Sequence, residues 1–219
     1  MIPLSIDSEL KLHFPQLQVA CFCCQLSCKP SSNKLIEHIK QQTKQLQQSM
    51  QVSEIAQLNP ILTGRRAYRI LGKDPARYRL SADALLRRVL KSKGLYYINN
   101  VVDTLNLISI QTAWSIGGYD LDKIKGPIRF GVGQKDEAYQ GLGRGALNIQ
   151  YLPVFRDEIG AFGSITSDSE RTKIDADTQR FLMLIPSFES TAKLKECLDI
   201  VPGIYKEYCQ AEAVEIQMI

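Results

Sequence analysis

A chain of 219 residues holds one large domain, or a domain with an extension. Hydrophobic residues make up 44% and charged residues 23%, and no apolar run approaches the ~20 residues of a bilayer-crossing helix. The net charge is only +4, so any electrostatic preference has to come from how the charge is distributed.

The N-terminus lacks a basic start followed by an apolar stretch, so no export signal is expected. The expected location is the cytoplasm, with the six cysteines reduced. Residues 1–14 carry no clear pattern. Residues 16–26 read as a buried strand with Leu17, Val19 and Cys21 on one side. Cys21 and Cys24, followed by Cys28, are spaced like metal ligands. Residues three apart on a strand point to opposite faces, however, and no second pair follows at metal spacing. Core thiols are the better reading, and neither a metal nor a cofactor is expected. Pro30-Ser31-Ser32 breaks the chain and caps a helix over 33–50, with Leu35, Ile36, Ile39 and Leu46 as its thin apolar stripe. Asn59-Pro60 reads as a boundary between a strand-and-helix extension (1–60) and a core domain (61–219).

Residues 63–72 predict a short helix capped by Thr63 and closed by Gly72, and Ser81 caps a second over 82–92. The charge concentrates here. Arg65, Arg66, Arg69, Lys73, Arg77, Arg79, Arg87, Arg88, Lys91 and Lys93 face only Asp74 and Asp83, a surplus of eight that leaves the rest of the chain negative. Tyr68, Tyr78, Tyr96 and Tyr97 lie among or beside them. A basic surface with interleaved aromatics can grip phosphates and stack on unpaired bases. The plainer alternative is the solvated face of amphipathic helices, with the tyrosines in the core.

Residues 94–124 turn at Gly94 and run apolar from Val101 to Ile110 at near-helical spacing, interrupted by Asp103, Thr104, Asn106 and Ser109. Such residues compete for backbone hydrogen bonds, so a buried helix that keeps them aims them at a ligand or at neighbouring backbone. Gly117-Gly118 predicts a tight turn or a close approach. From 127 to 166 short β-like runs alternate with glycines, a polar loop spans 167–173, and 180–186 reads as a strand. Gly141-Leu142-Gly143-Arg144-Gly145 lacks the Lys-Ser/Thr of a phosphate loop and reads as a hairpin turn. Ser187 or Ser190 caps a C-terminal helix that Pro202-Gly203 breaks, and the last residues form an edge strand. The fold class is therefore α+β, a largely antiparallel sheet layered with helices.

Asn99-Asn100-Val101-Val102-Asp103, Asn106, Gly118-Tyr119-Asp120-Leu121-Asp122-Lys123-Ile124 and Ser169-Glu170-Arg171-Thr172-Lys173 together resemble the tRNA-editing module of the phenylalanyl-tRNA synthetase β subunit, over about residues 60–186. The resemblance implies a pocket for the aminoacylated 3′ end of tRNA and hydrolysis of a mischarged ester. It implies Asn100, Asn106, Gly117, Tyr119, Gly160, Gly163, Arg171, Thr172 and Thr178 around the substrate. Asp120 or Glu170 would then place the water, and the basic residues of 65–93 would hold the RNA. Three positions depart from the family: Gly117 stands for its His, Leu105 for a Thr, and Leu184 for the Glu that reads a tyrosyl hydroxyl. A neutral pocket cannot select tyrosine through that hydroxyl. Two alternatives stand beside hydrolysis: a non-catalytic module binding tRNA or an aminoacyl adenosine, and a pocket for a small metabolite.

Overall fold

The computed structural model describes residues 2–189 and 192–219. In chain order they form β1 (Leu4–Ile6), α1 (Ser8–His13), β2 (Gln18–Gln25), α2 (Asn33–Ser49), α3 (Asn59–Leu71), α4 (Ser81–Leu90) and α5 (Asn100–Thr112). There follow β3 (Gly117–Asp120), β4 (Ile128–Val132), β5 (Gln140–Gly141), β6 (Gly145–Ala146), β7 (Pro153–Arg156), β8 (Ala161–Ser164), β9 (Arg180–Ser187), α6 (Ala192–Cys209) and β10 (Glu212–Met218). One sheet has the order β1-β4-β7-β8 and the other β10-β2-β9-β3, while β5 and β6 close a small hairpin. Among the described residues, only β1 with β4 pairs in parallel. The fold is α+β, its sheets largely antiparallel and layered with helices.

Strand β2 shows how the layers are held. Its residues alternate between two apolar cores, as the period of two requires. Val19, Cys21 and Cys23 join the core shared with the other sheet and with α2, α3 and α4. Ala20, Phe22 and Cys24 join the core under α5 and α6. Cys21 and Cys24 therefore face opposite layers. Residues 1–60 supply β1 to one sheet and β2 to the interior of the other.

Local chemistry sets the helix starts. Ser32 caps α2 by accepting the Leu35 N–H, and Asn99 caps α5 by accepting the Val102 N–H at 2.9 Å. Helix α3 begins at Asn59, earlier than the sequence predicts, because Pro60 sits in the first turn, where a missing N–H costs nothing. Thr63 is buried within that helix rather than capping it. Ser81 is the first residue of α4 instead of its cap, and its N–H bonds to the Ile165 carbonyl at 2.9 Å. Helix α6 runs through Pro202 with Val201 and Tyr205 fully buried; packing against β2 and α5 outweighs the hydrogen bond lost at the proline. Ser187 ends β9, and Ser190 lies outside the described residues. The turn expected at Gly117-Gly118 is absent. The chain reverses at Ala113 (φ 60°), and the two glycines open β3.

Candidate functional site

Gly117 and Gly118 serve close approach. Gly118 faces α5, where a Cβ would overlap Leu105. Gly117 lies on the opposite face, as does Gly163 of β8, and a Cβ at either would overlap the Tyr119 phenol. Tyr119 is fully buried, its ring edge-on to Phe162 at 4.9 Å. The hollow expected between Gly117 and Gly163 is thus filled by Tyr119.

Beside that phenol lies Asp168, half-buried, with its Oδ1 shielded from solvent. Its Oδ2 accepts the Gly118 N–H at 3.4 Å. Neither Oδ1 nor the Tyr119 hydroxyl has a partner within hydrogen-bonding geometry among the described residues. Burial pushes the Asp168 carboxyl up to about 7, although the facing phenol and the Gly118 N–H pull the other way. Burial and the Asp168 charge raise Tyr119 well above the usual phenol range.

The open space is elsewhere on this sheet. A cleft of about 700 Å³ lies between the β5–β6 hairpin and the β7–β8 turn, with Tyr139 and Leu147 on one side and Ile159, Gly160 and Ala161 on the other. That volume is within the range of small-molecule sites. Gly160 holds φ 148°, and a Cβ there would meet nothing within 4 Å. Arg171 and Ser169 also line the cleft. The fork of Arg171 is engaged: it donates to both Asp157 oxygens at 2.8 and 2.9 Å and to the Lys123 and Gly160 carbonyls. Asp157 in turn accepts the Ile159 and Gly160 N–H groups, which shapes the turn that carries Gly160.

Most of the remaining predicted residues have internal partners. Glu170 is exposed, accepts the Gly143 N–H at 3.0 Å and pairs with Lys173, and these interactions hold it below the usual carboxylate range. Asp120 is buried, caps the turn at Leu121–Lys123, and accepts the Thr178 hydroxyl at 2.9 Å. Thr172 is buried against the Phe162 carbonyl. Asn100 accepts the Lys29 N–H and donates to the Ser27 and Tyr208 carbonyls, tying α5 to the ends of β2 and α6. Asn106 is half-buried on α5. Thr178 borders a different, polar cleft of about 680 Å³ with Lys29 and Arg180. Of the predicted residues, Gly160 and Arg171 share the open cleft, and Gly117, Tyr119 and Gly163 meet in the closed cluster behind it.

The basic residues divide into two groups. Arg65 and Arg87 converge on Asp83, a buried carboxylate on α4, at 3.6 and 2.5 Å. Arg66 pairs with Glu189, and Arg88 is bonded to the Gly94 and Lys93 carbonyls. Arg69, Arg77, Arg79, Lys91 and Lys93 are exposed with no ion pair among the described residues. Lys73 is buried and joins this segment to the cleft. Its Nζ donates to the Asn148 and Gln150 carbonyls at 2.9 and 2.7 Å, and Asn148 lines the cleft. Burial and the nearby Arg77 charge lower its pKa.

A family model described as the B3/4 domain matches residues 63–197. The chain belongs to the B3/4 domain family. A solved structure, an N-terminal fragment of the phenylalanyl-tRNA synthetase β subunit from Pyrococcus horikoshii, matches with a TM-score of 0.50 and 17% identity. The match covers 98% of this chain and 50% of that one, so this B3/4 protein spans about half the length of the fragment it resembles. No curated protein sequence matches. Within this B3/4 domain Gly117 and Leu184, the positions where the resemblance to the editing module leads one to expect His and Glu, are direct cross-strand partners in β3 and β9. The two departures fall at one place, beside the Tyr119 phenol.

The sequence reading placed Asp168 in a polar loop of candidate residues but missed the shielding of its carboxyl, and it missed Asp157 and Lys73 as a tether. A signal existed for Asp157: an Asp three residues before a glycine is suited to a side-chain-closed turn. None existed for the shielding of Asp168, which depends on the packing of β3 against β8.

Proposed function

We propose that this B3/4 domain binds the aminoacylated 3′ end of a tRNA without hydrolysing its ester. The terminal adenosine and its amino acid lie in the cleft beside Gly160, and adjoining phosphates meet the exposed residues Arg69, Arg77 and Arg79. The observation that carries this reading is the Lys73 tether. It fixes one wall of a largely apolar cleft to the segment with the chain's greatest cationic surplus. Binding without turnover is favoured because Asp120 and Glu170 are committed to internal partners, and positions 117 and 184 carry no acid or base.

One observation favours hydrolysis as a second reading. Asp168, next to Ser169 on the cleft wall, has a carboxyl near neutrality and an unpartnered oxygen, the condition of a general base. Two measurements decide between them. Calorimetry with a non-hydrolysable aminoacyl-adenosine analogue should give saturable binding that Ile159→Glu abolishes. A panel of mischarged tRNAs should remain acylated in the presence of the protein; deacylation lost in Asp168→Asn would establish the second reading instead. Binding of free amino acids with no salt dependence would replace both with a metabolite pocket.

A further inference from the structure

We propose that residues 96–98, with Arg88, form a stacking platform for unpaired bases of RNA, separate from the cleft. The inference shares with the reading above the premise that RNA is the partner, but it rests on a different surface. Tyr96, Tyr97 and Ile98 are 67%, 46% and 63% exposed, three consecutive large side chains turned to solvent between α4 and α5. Their presentation is fixed rather than loose. Arg88 lies 3.9 Å from the Tyr96 ring centroid and bonds its hydroxyl at 3.1 Å, while its other nitrogens hold the Gly94 and Lys93 carbonyls. At the other end the Ile98 N–H is held by Asp103 at 2.9 Å. One face of Tyr96 is thus covered by a guanidinium and the segment is pinned at both ends, so little ordering remains to oppose stacking.

Charge selects the occupant. Lys91 and Lys93 stand exposed beside the platform with no ion pair among the described residues. The acid nearest in sequence, Asp103, is buried and spent on Ile98 and Ser31. Flat aromatic faces flanked by Arg88, Lys91 and Lys93 suit a polyanion with π-faces, which is single-stranded nucleic acid. The platform is a separate surface because α4 starts against Ile165 of the cleft sheet and ends at the platform, about 15 Å away at 1.5 Å per residue.

The test is fluorescence anisotropy of a short mixed-sequence single-stranded RNA, with a sulfated polysaccharide as a polyanion without bases. Tyr96→Ala with Tyr97→Ala should weaken RNA binding about ten-fold or more, and Tyr96→Phe with Tyr97→Phe should retain it. Polysaccharide binding should stay unchanged in both variants. Undiminished RNA binding in the alanine pair, or an equal loss for the polysaccharide, would overturn the proposal. The aminoacyl-adenosine analogue is titrated into the same alanine pair. If it binds as before while RNA binding falls, both readings stand; if it binds neither the pair nor the parent while RNA binding still falls, only the cleft reading fails.

Discussion

Arg171 and Asp157 meet through two parallel hydrogen bonds, 2.8 and 2.9 Å long, beneath the turn that presents Gly160 to the cleft. The Asp157 side chain is fully buried and Arg171 is mostly so. Removing the cation alone strands a buried carboxylate, which costs about 3 kcal/mol or more. Arg171→Ala should therefore shift the urea midpoint down strongly, and Arg171→Lys should recover only part of the loss because an ammonium cannot supply the fork. Burial pushes the Asp157 carboxyl up, but Arg171 and the backbone N–H groups outweigh it, and the group sits below its ordinary value. A depressed carboxylate contributes stability above its unfolded pKa and loses it as pH falls through the folded one. The Arg171→Ala penalty should shrink in acid. An equal penalty at every pH would remove Asp157 as its cause.

Asp168 carries the opposite sign. Its folded value of about 7 lies above the ordinary 3.8, so the folded protein holds the proton more tightly than the unfolded chain. Stability from this group is present in acid and lost as pH rises from near 4 to near 7. The full difference is on the order of 4 kcal/mol. Asp168→Asn, which cannot ionise, should raise thermal stability above about pH 8 and leave it little changed near the acid end. A variant less stable than the parent at alkaline pH would mean that the shielded carboxylate is compensated by a group not facing it in this structure.

The fold was legible where a strong local signal stood alone. Uninterrupted apolar runs marked β2 and β9, and the Ser32 cap marked the start of α2. It was illegible where tertiary packing overrode local preference. Pro202 looks like a break, yet α6 continues because Val201 and Tyr205 are buried. Residues 1–14 show no pattern, yet β1 forms because the edge of β4 offers a parallel partner. The site was half legible. Glycines at 117 and 163 marked a close approach, but which side chain occupies the space they free is decided by β3 lying against β8. Here the occupant is Tyr119 from within the same motif.

That occupancy makes a packing prediction. A Cβ at Gly163 overlaps the Tyr119 hydroxyl and the ring carbon that bears it. Gly163→Ala should cost about 1–3 kcal/mol through overpacking. Tyr119→Ala should cost about 3–5 kcal/mol through the cavity it leaves. The double variant should cost less than the sum, since the added methyl enters space the phenol has vacated. Strict additivity in denaturant melts would place the phenol elsewhere in solution.

The basic segment predicts a separation between folding and binding. Arg87 is paired with buried Asp83, where Arg65 also converges, so Arg87→Glu sets like charges together at a buried acid and should lower the melting temperature before it says anything about RNA. Arg69, Arg77 and Arg79 are exposed and free of ion pairs among the described residues, so their reversal should leave the melting temperature nearly unchanged. If these three hold phosphates, the slope of log affinity against log salt should fall by about 0.7 to 0.9 for each phosphate that is no longer neutralised. Combining Arg69→Glu, Arg77→Glu and Arg79→Glu multiplies the effect, while the aminoacyl-adenosine analogue, which carries no backbone phosphates, should bind the triple variant as it binds the parent. Equal weakening for RNA and analogue would put these arginines inside the cleft chemistry. An unaltered salt slope would move the RNA to another face of the molecule.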